Sequence, residues 1–139
     1  MSRVKWKNQF TTITSASKFH NRVREILATD PIFKNFRCYQ EVAVHELVDG
    51  YPHHNHHYDW YIEELLTVIE LHGAQHYGVV NYGNIGWEDA ERQFQGIQEL
   101  DSAKKYAALD AGFKYVEIHY KNYPKLDGQL LRKLVFGGS

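Results

Sequence analysis

The amino-acid sequence predicts an α/β fold in which helices flank a mixed β-sheet. An amphipathic helix is expected first, three strand-like segments follow it, and a long helix then leads to a last strand. The order is therefore α-β-β-β-α-β. A three-strand meander followed by one helical crossover makes a sheet with both antiparallel and parallel strands. The length of 139 residues suits a single domain over residues 1–139.

The first half of the chain is expected to hold one helix and three strands. The helix follows a capping serine, Ser15 or Ser17, and ends at Asp30, because a residue before proline avoids the helical region. Strands are predicted over residues 36–44, 58–62 and 65–71. The third is almost continuously apolar, which is typical of a central strand buried on both faces. The helix is assigned from apolar residues at helical spacing: Phe19, Val23, Ile26 and Leu27.

The second half is expected to supply the crossover helix and the last strand. Residues 78–86 are rich in glycine and asparagine and predict a loop, and residues 87–109 predict a helix in which an interruption near Gly96 is left open. Gly112 stands where a left-handed helix C-cap favours glycine. Residues 113–120 alternate as a strand, and a short helical turn is expected at residues 130–131.

The charge balance limits which nucleic-acid functions fit. The formal net charge is −1, which argues against a high-affinity DNA-binding module, but less against a nuclease whose acidic metal ligands cancel its basic residues. Basic residues lie on both sides of the acidic and histidine-rich centre of the sequence, and two interpretations of these basic flanks stay open. They hold a polyanion over a central metal, or they are solvated surface charge. The flanks are Lys5, Lys7, Lys18, Arg22 and Arg24 before the centre, and Lys121, Lys125, Arg132 and Lys133 after it.

Cysteine content and hydropathy predict a cytoplasmic protein. Cys38 is the single cysteine, so no disulfide framework exists, and a buried thiol in a strand is expected. No apolar run approaches the roughly 20 residues of a membrane helix, and no secretory signal is recognised. The expected location is the cytoplasm (that of a host if the chain is phage-encoded), with no membrane partner.

Three polar residues interrupt the strand-like centre of the chain. Asp59 lies in the second predicted strand, and Glu70 and His72 lie in the third, two residues apart and thus on one face. A hairpin between these strands would bring two carboxylates and an imidazole together. Such donors suit Mg²⁺ or Mn²⁺. The alternative is a buried polar pair that only satisfies its own hydrogen bonds, which is the commoner case for one such pair.

A family resemblance enters with these residues. Asp59 precedes residues 68–76, Val-Ile-Glu-Leu-His-Gly-Ala-Gln-His, and residues 101–104, Asp-Ser-Ala-Lys, and 112–116, Gly-Phe-Lys-Tyr-Val, follow. The pattern resembles the PD-(D/E)xK nuclease superfamily, and within it the branch of very-short-patch mismatch endonucleases and related small nucleases, some encoded by phages. The match covers roughly residues 19–120. The resemblance implies a restriction-endonuclease-like core and a metal-dependent endodeoxyribonuclease.

The resemblance also implies roles for individual residues. Asp59, Glu70 and the Leu71 carbonyl would bind Mg²⁺ or Mn²⁺, and His72 stands where the superfamily usually has lysine. The remaining implied site residues are Gln75 and His76, which would orient water or contact the scissile phosphate, Gln40 near the metal, and Asp101 with Lys104 as support from the later helix.

The chain departs from the family pattern at two points. Where the branch commonly has a glutamate on the first helix, this sequence has His20, with Glu25 further along, and either is a candidate for the site. Lysine is absent from the third motif position, so the resemblance leaves His72 or a metal-bound water as the general base.

Two function classes and one further alternative remain open. The first is an endonuclease acting on DNA, with RNA not excluded, and with a homodimer or larger assembly left open. The second is a catalytically inactive nucleic-acid-binding or assembly subunit that keeps the fold. The third is a zinc or nickel protein organised by the histidines of residues 53–57.

Overall fold

The computed structural model describes residues 17–78 and 86–137, without the side chain of Gln75. It contains a four-stranded sheet in the order β1-β2-β3-β4, flanked by helices, and so confirms the predicted α/β class and its mixed sheet. The first three strands are antiparallel, and β4 is parallel to β3. The strands are β1 (Cys38–Ala43), β2 (His57–Ile62), β3 (Thr67–His72) and β4 (Lys114–His119); the helices are α1 (Lys18–Thr29), α2 (Val44–Leu47), α3 (Trp87–Asp110) and α4 (Gly128–Phe136).

Capping residues fix both ends of α1 as predicted. The Ser17 side chain accepts a hydrogen bond from the His20 amide at 3.0 Å. At the other end, the Asp30 carboxylate accepts from the amides of Ile32 and Phe33 at 3.0 and 3.2 Å, and it lies 3.6 Å from Arg132 of α4. The chain therefore leaves α1 in a turn that is joined to the last helix.

The sheet separates two hydrophobic clusters. One packs α1 and α4 against the sheet through residues such as Leu27, Ile69 and Leu131. The other packs α3 through Ala108 against Val68 and its neighbours. The interior strand β3 is buried at five of its six positions, which confirms the prediction of a central strand with both faces covered.

Side-chain alternation changes face in the middle of β1 and β2. Trp60 packs in the cluster of α1, whereas Tyr58, only two residues earlier, packs in the cluster of α3. Regular alternation would place both on one face, so the strand switches at Asp59. In the neighbouring strand, Glu41 has a φ of 53°, a left-handed conformation that is uncommon outside glycine. The irregularity turns the start of β2 towards α3.

The crossover helix α3 is continuous across Gly96, so an interruption there is excluded. Gly112 follows its end with a φ of 91°, as predicted for a left-handed cap. The expected short turn at residues 130–131 is instead part of α4, which begins at the side-chain cap of Asp127. Predictions for Ser15 and for most of the loop 78–86 lie outside the described residues. Within residues 17–78 and 86–137, no helix has both the length and the apolar character to cross a bilayer.

Candidate active site

Asp59 and Glu70 meet where the hairpin of β2 and β3 loses its regular pairing. Backbone pairing runs from Ile62 opposite Thr67 to Trp60 opposite Ile69. At the next position, Asp59 Oδ2 accepts a hydrogen bond from the Leu71 amide at 2.8 Å. The Glu70 carboxyl lies beside the Asp59 carboxyl, and burial, the charge of Asp59 and a hydrogen bond between the two groups raise the pKa of Glu70. The hairpin thus brings the two predicted carboxylates together.

Lys104 approaches this pair from α3. Its Nζ lies 2.9 Å from Glu70 Oε1 and donates to the His57 carbonyl at 3.1 Å. The contact with Oε1 is close but poorly aligned, so Oε1 has no well-formed hydrogen bond among the described residues. Burial, and next the charge of Asp59, hold the pKa of Glu70 well above its usual range, and Lys104 opposes that rise. The Tyr58 hydroxyl donates to the Lys104 carbonyl at 2.6 Å and fixes the helix over the strand.

A second cluster of polar side chains lies next to the first, further along β3 and one turn earlier on α3. His72 faces α3 as Glu70 does, and its Nε2 lies 3.7 Å from Asp101 Oδ1, one helical turn before Lys104. Asp101 Oδ2 lies 2.7 Å from His76 Nδ1. The rings of His72 and His76 stack with centroids 4.1 Å apart. Burial lowers the pKa of His72 and favours its neutral form, although Asp101 and Glu117 act in the opposite direction.

The donor set of the first pair fits a hard divalent cation. Carboxylate oxygens are the ligands that Mg²⁺ and Mn²⁺ prefer. Two carboxylates in contact repel each other when both are ionised, and Glu70 Oε1 is buried without a well-formed hydrogen bond. An ion between Asp59 and Glu70 would relieve both. The Leu71 amide is held by Asp59, and a role for the Leu71 carbonyl stays a prediction.

The structure does not place the first-helix candidates with the two carboxylates. His20 is buried on the α1 side of the sheet, where its Nε2 lies 2.9 Å from Gln40 Oε1 and its ring stacks on Trp60. Glu25 is exposed on α1 and lines a surface cavity of about 340 Å³ with Lys18, Asn21, Arg22 and Tyr123. The contacts of Lys104 and Asp101, in contrast, lie on the α3 side. No contact of His20 or Glu25 with Asp59 or Glu70 occurs among the described side chains, and a role for either in the site stays a prediction.

Sequence analysis missed Glu117, which lies opposite Glu70 in the parallel pairing of β3 and β4. Glu117 Oε2 lies 3.4 Å from His72 Nδ1 and accepts a hydrogen bond from the Tyr77 hydroxyl. The signal was a glutamate between two β-branched residues of the strand, Val116 and Ile118. Gln75 was predicted as a site residue, but its side chain lies outside the described part of the chain.

The histidine-rich loop before β2 arranges its rings in pairs. His53 stacks on His56 with centroids 4.5 Å apart, and His54 stacks on His45 at 4.1 Å. His45 lies in α2. Within the part of the chain that the structure describes, the group with three metal-binding side chains in reach of one another is His72, His76 and Asp101. The loop histidines do not form such a group.

No protein-family model, curated protein or solved structure matches the chain. The resemblance to the PD-(D/E)xK nucleases therefore stays a prediction that depends on the motif residues quoted above.

Proposed function

We propose that the chain is a divalent-metal-dependent endonuclease that hydrolyses phosphodiester bonds in DNA and has a restriction-endonuclease-like core. The observation that carries the proposal is the contact between the Asp59 and Glu70 carboxyls at the irregular end of a hairpin, beside the buried Lys104. The mixed sheet with one helical crossover supports the core that the resemblance implies.

Asp59 and Glu70 are the residues that would hold Mg²⁺ or Mn²⁺. When bound, such an ion neutralises charge that develops on a phosphoryl group and makes water more acidic. Glu70 must ionise to bind a cation, and Lys104 stabilises its ionised form from 2.9 Å. Because Asp59 also accepts from the Leu71 amide, its carboxylate is held in one orientation before any ligand arrives.

We assign the general base to His76. Asp101 accepts a hydrogen bond at His76 Nδ1, which favours the tautomer with its proton there and leaves Nε2 with a free lone pair. His76 Nε2 then accepts the proton of the attacking water, and Asp101 stabilises the ring as it becomes charged. His72 is less suited, since its side chain is 3% exposed against 19% for His76.

A second candidate function is favoured by one observation. Glu70 is 3% exposed and paired with Lys104, as in a buried polar pair that only stabilises the fold. The chain would then be a catalytically inactive nucleic-acid-binding or assembly subunit. Binding without cleavage distinguishes this candidate from the first.

The test is cleavage of supercoiled plasmid, branched DNA and RNA with Mg²⁺ or Mn²⁺, and with EDTA as the blank. Asp59→Asn and Glu70→Gln are expected to abolish cleavage of DNA, whereas Glu91→Gln, on the exposed face of α3, keeps it. A mobility-shift assay on the same variants reports binding. If wild-type protein binds nucleic acid and cuts none of these substrates with either ion, the second candidate holds.

A further inference from the structure

Three side chains from three different elements converge beyond Glu70. His72 ends β3, His76 lies in the 3-10 turn Ala74–His76, and Asp101 lies on α3. One ligand atom from each lies within 4.8 Å of the other two. Two separations are 2.7 Å, from His76 Nδ1 to Asp101 Oδ2, and 3.7 Å, from His72 Nε2 to Asp101 Oδ1.

Two of the inward-facing atoms are buried without partners. His72 Nε2 and Asp101 Oδ1 make no hydrogen bond with any described residue, and the His72 side chain is 3% exposed. Buried polar atoms are nearly always satisfied, because an unsatisfied one costs about 1–3 kcal/mol. The two atoms lie 3.7 Å apart, so one cation between them would satisfy both.

The second ring nitrogen of His72, Nδ1, has a carboxylate neighbour, as histidine ligands in many metal sites do. A metal-bound histidine generally has a carboxylate or carbonyl at its other ring nitrogen, which orients the ring and raises its basicity. Glu117 Oε2 takes this place, 3.4 Å from His72 Nδ1. The Tyr77 hydroxyl donates to the same carboxylate and holds it.

The donor set indicates the class of ion. Two imidazoles and one carboxylate suit Zn²⁺ and related transition metals, and three protein ligands leave a fourth position open. Ligand atoms of a tetrahedral zinc site lie about 3.3 Å apart. His72 Nε2 lies 3.7 Å from Oδ1 of Asp101 and His76 Nδ1 lies 2.7 Å from Oδ2, so small shifts would bring both nitrogens to this distance from one carboxylate oxygen. The rings of His72 and His76 are within 7° of parallel, so one must tilt to point at a shared ion. His76, on a single turn and partly exposed, is the ring with room to do so.

We propose that His72, His76 and Asp101 bind one transition-metal ion of the Zn²⁺ class, with Glu117 orienting His72. This site is separate from the hard-cation site proposed at Asp59 and Glu70. The inference does not depend on nuclease activity. One consequence does rest on the proposed function: an ion here occupies the His76–Asp101 pair, so Zn²⁺ would inhibit Mg²⁺-dependent cleavage.

Zinc binding is measured on EDTA-stripped full-length protein by competition with a chromogenic chelator. The expected result is one Zn²⁺ per chain, with affinity lowered at least 100-fold by Asp101→Asn and about 10- to 100-fold by Glu117→Gln, the effect usual for a residue behind a ligand. The asparagine of Asp101→Asn has the shape of the aspartate and can still form a hydrogen bond with His76. Melting curves without metal show whether each variant folds, and His76→Gln serves if Asp101→Asn does not.

The control removes one histidine from each of the two stacked pairs at the histidine-rich loop. His53→Ala/His54→Ala alters the loop and leaves the three proposed ligands intact, so it should retain full zinc affinity. Loss of the ion in this variant with retention in Asp101→Asn would overturn the proposal, as would the absence of any stoichiometric zinc. Co²⁺ gives an independent measurement, because a tetrahedral site gives it intense visible absorption bands that should be lost in His72→Gln.

Inhibition separates the two proposals from each other. If zinc binds as predicted and Mg²⁺-dependent cleavage falls in parallel with occupancy, both are supported. Zinc that binds at the three residues without slowing cleavage contradicts the base role of His76 and leaves the metal site standing. A protein that cuts nothing but binds zinc through these residues overturns only the nuclease.

Discussion

Lys104 Nζ on α3 lies 2.9 Å from Glu70 Oε1 on β3. One turn earlier on the same helix, Asp101 faces His72, two residues further along the same strand. Helix residues three apart and strand residues two apart each share a face, so the two contacts form parallel connections between one strand and one helix. The crossover helix therefore sets the position of both polar groups, and a shift of α3 would affect them together.

Glu70→Gln is expected to stabilise the metal-free protein while abolishing cleavage. The pKa of Glu70 is higher in the folded protein than in the unfolded chain, where it is near 4.5. As the pH rises above that value, Glu70 ionises more readily in the unfolded chain, and the free energy of unfolding of wild-type protein falls. Glutamine mimics the protonated acid and does not ionise. The variant should therefore melt at a higher temperature than wild type at pH 7, with little difference at pH 4. Thermal melts at several pH values measure it.

The metal response of the same variant is the control. Mg²⁺ or Mn²⁺ should raise the Tm of wild-type protein, because a ligand that binds the folded state stabilises it. It should leave Glu70→Gln almost unchanged. If Glu70→Gln melts below wild type at pH 7 in EDTA, then Glu70 is ionised and satisfied by Lys104, and the argument for an ion site there is lost.

Lys104→Met is expected to destabilise the protein by about 1–3 kcal/mol, since it removes the ammonium group that lies beside Glu70 Oε1 and donates to the His57 carbonyl. A double-mutant cycle with Glu70→Gln isolates the part due to the ion pair. A coupling energy near zero in urea unfolding would show that Lys104 acts through packing and the His57 contact alone.

Much of the fold was predictable because local signals agreed with tertiary packing. Ser17, Asp30-Pro31 and Gly112 mark element ends by backbone chemistry that does not depend on the rest of the chain. The continuity of α3 at Gly96 was not predictable in this way. Glycine costs only about 1 kcal/mol in a helix, and packing of the whole helix outweighs that. The extent of α4 depends likewise on its contact with α1.

The site was predictable only in part, for a physical reason. Two residues on one strand share a face by alternation, so Glu70 and His72 could be placed together from sequence. The face switch at Asp59 breaks that rule and was not visible. The position of Glu117 beside His72 depends on the parallel register of β3 and β4. No local sequence pattern predicts that register. The position of His20 and Glu25 relative to the two carboxylates could not be predicted, because sequence spacing does not tell which face of the sheet a helix covers.

Asp101→Asn should lower cleavage by about 10²–10⁴-fold, the usual contribution of a positioned general base and its orienting carboxylate. The side chain still fits, but it no longer stabilises a charged His76 ring. Single-turnover rates at saturating DNA and Mg²⁺ isolate this effect. Asp89→Asn, on the exposed first turn of the same helix, is the matched control and should not change the rate. A loss equal in both variants would point to a general effect of charge on DNA binding.

Cys38 is expected to be inert in the folded protein. Burial raises the pKa of its thiol to about 12, so the thiolate that reacts with disulfide reagents is scarce at pH 8. Modification should follow global unfolding, as judged by equal midpoints for thiol reactivity and circular dichroism in urea. Fast reaction without denaturant would show that β1 opens separately from the rest of the sheet.

Two glycine-to-alanine substitutions should change the free energy of unfolding in opposite directions, because the surroundings of the two glycines differ. A methyl group at Gly128 would collide with the Asp30 carboxylate, which cannot move aside because two amides and Arg132 hold it at the junction of α1 and α4. Overpacking of this kind costs about 1–3 kcal/mol. Gly96 lies mid-helix with open space around it, so alanine there should stabilise by about 0.5–1 kcal/mol. Urea unfolding of both variants measures the difference, and a neutral Gly128→Ala would show that Asp30 is not fixed at this junction.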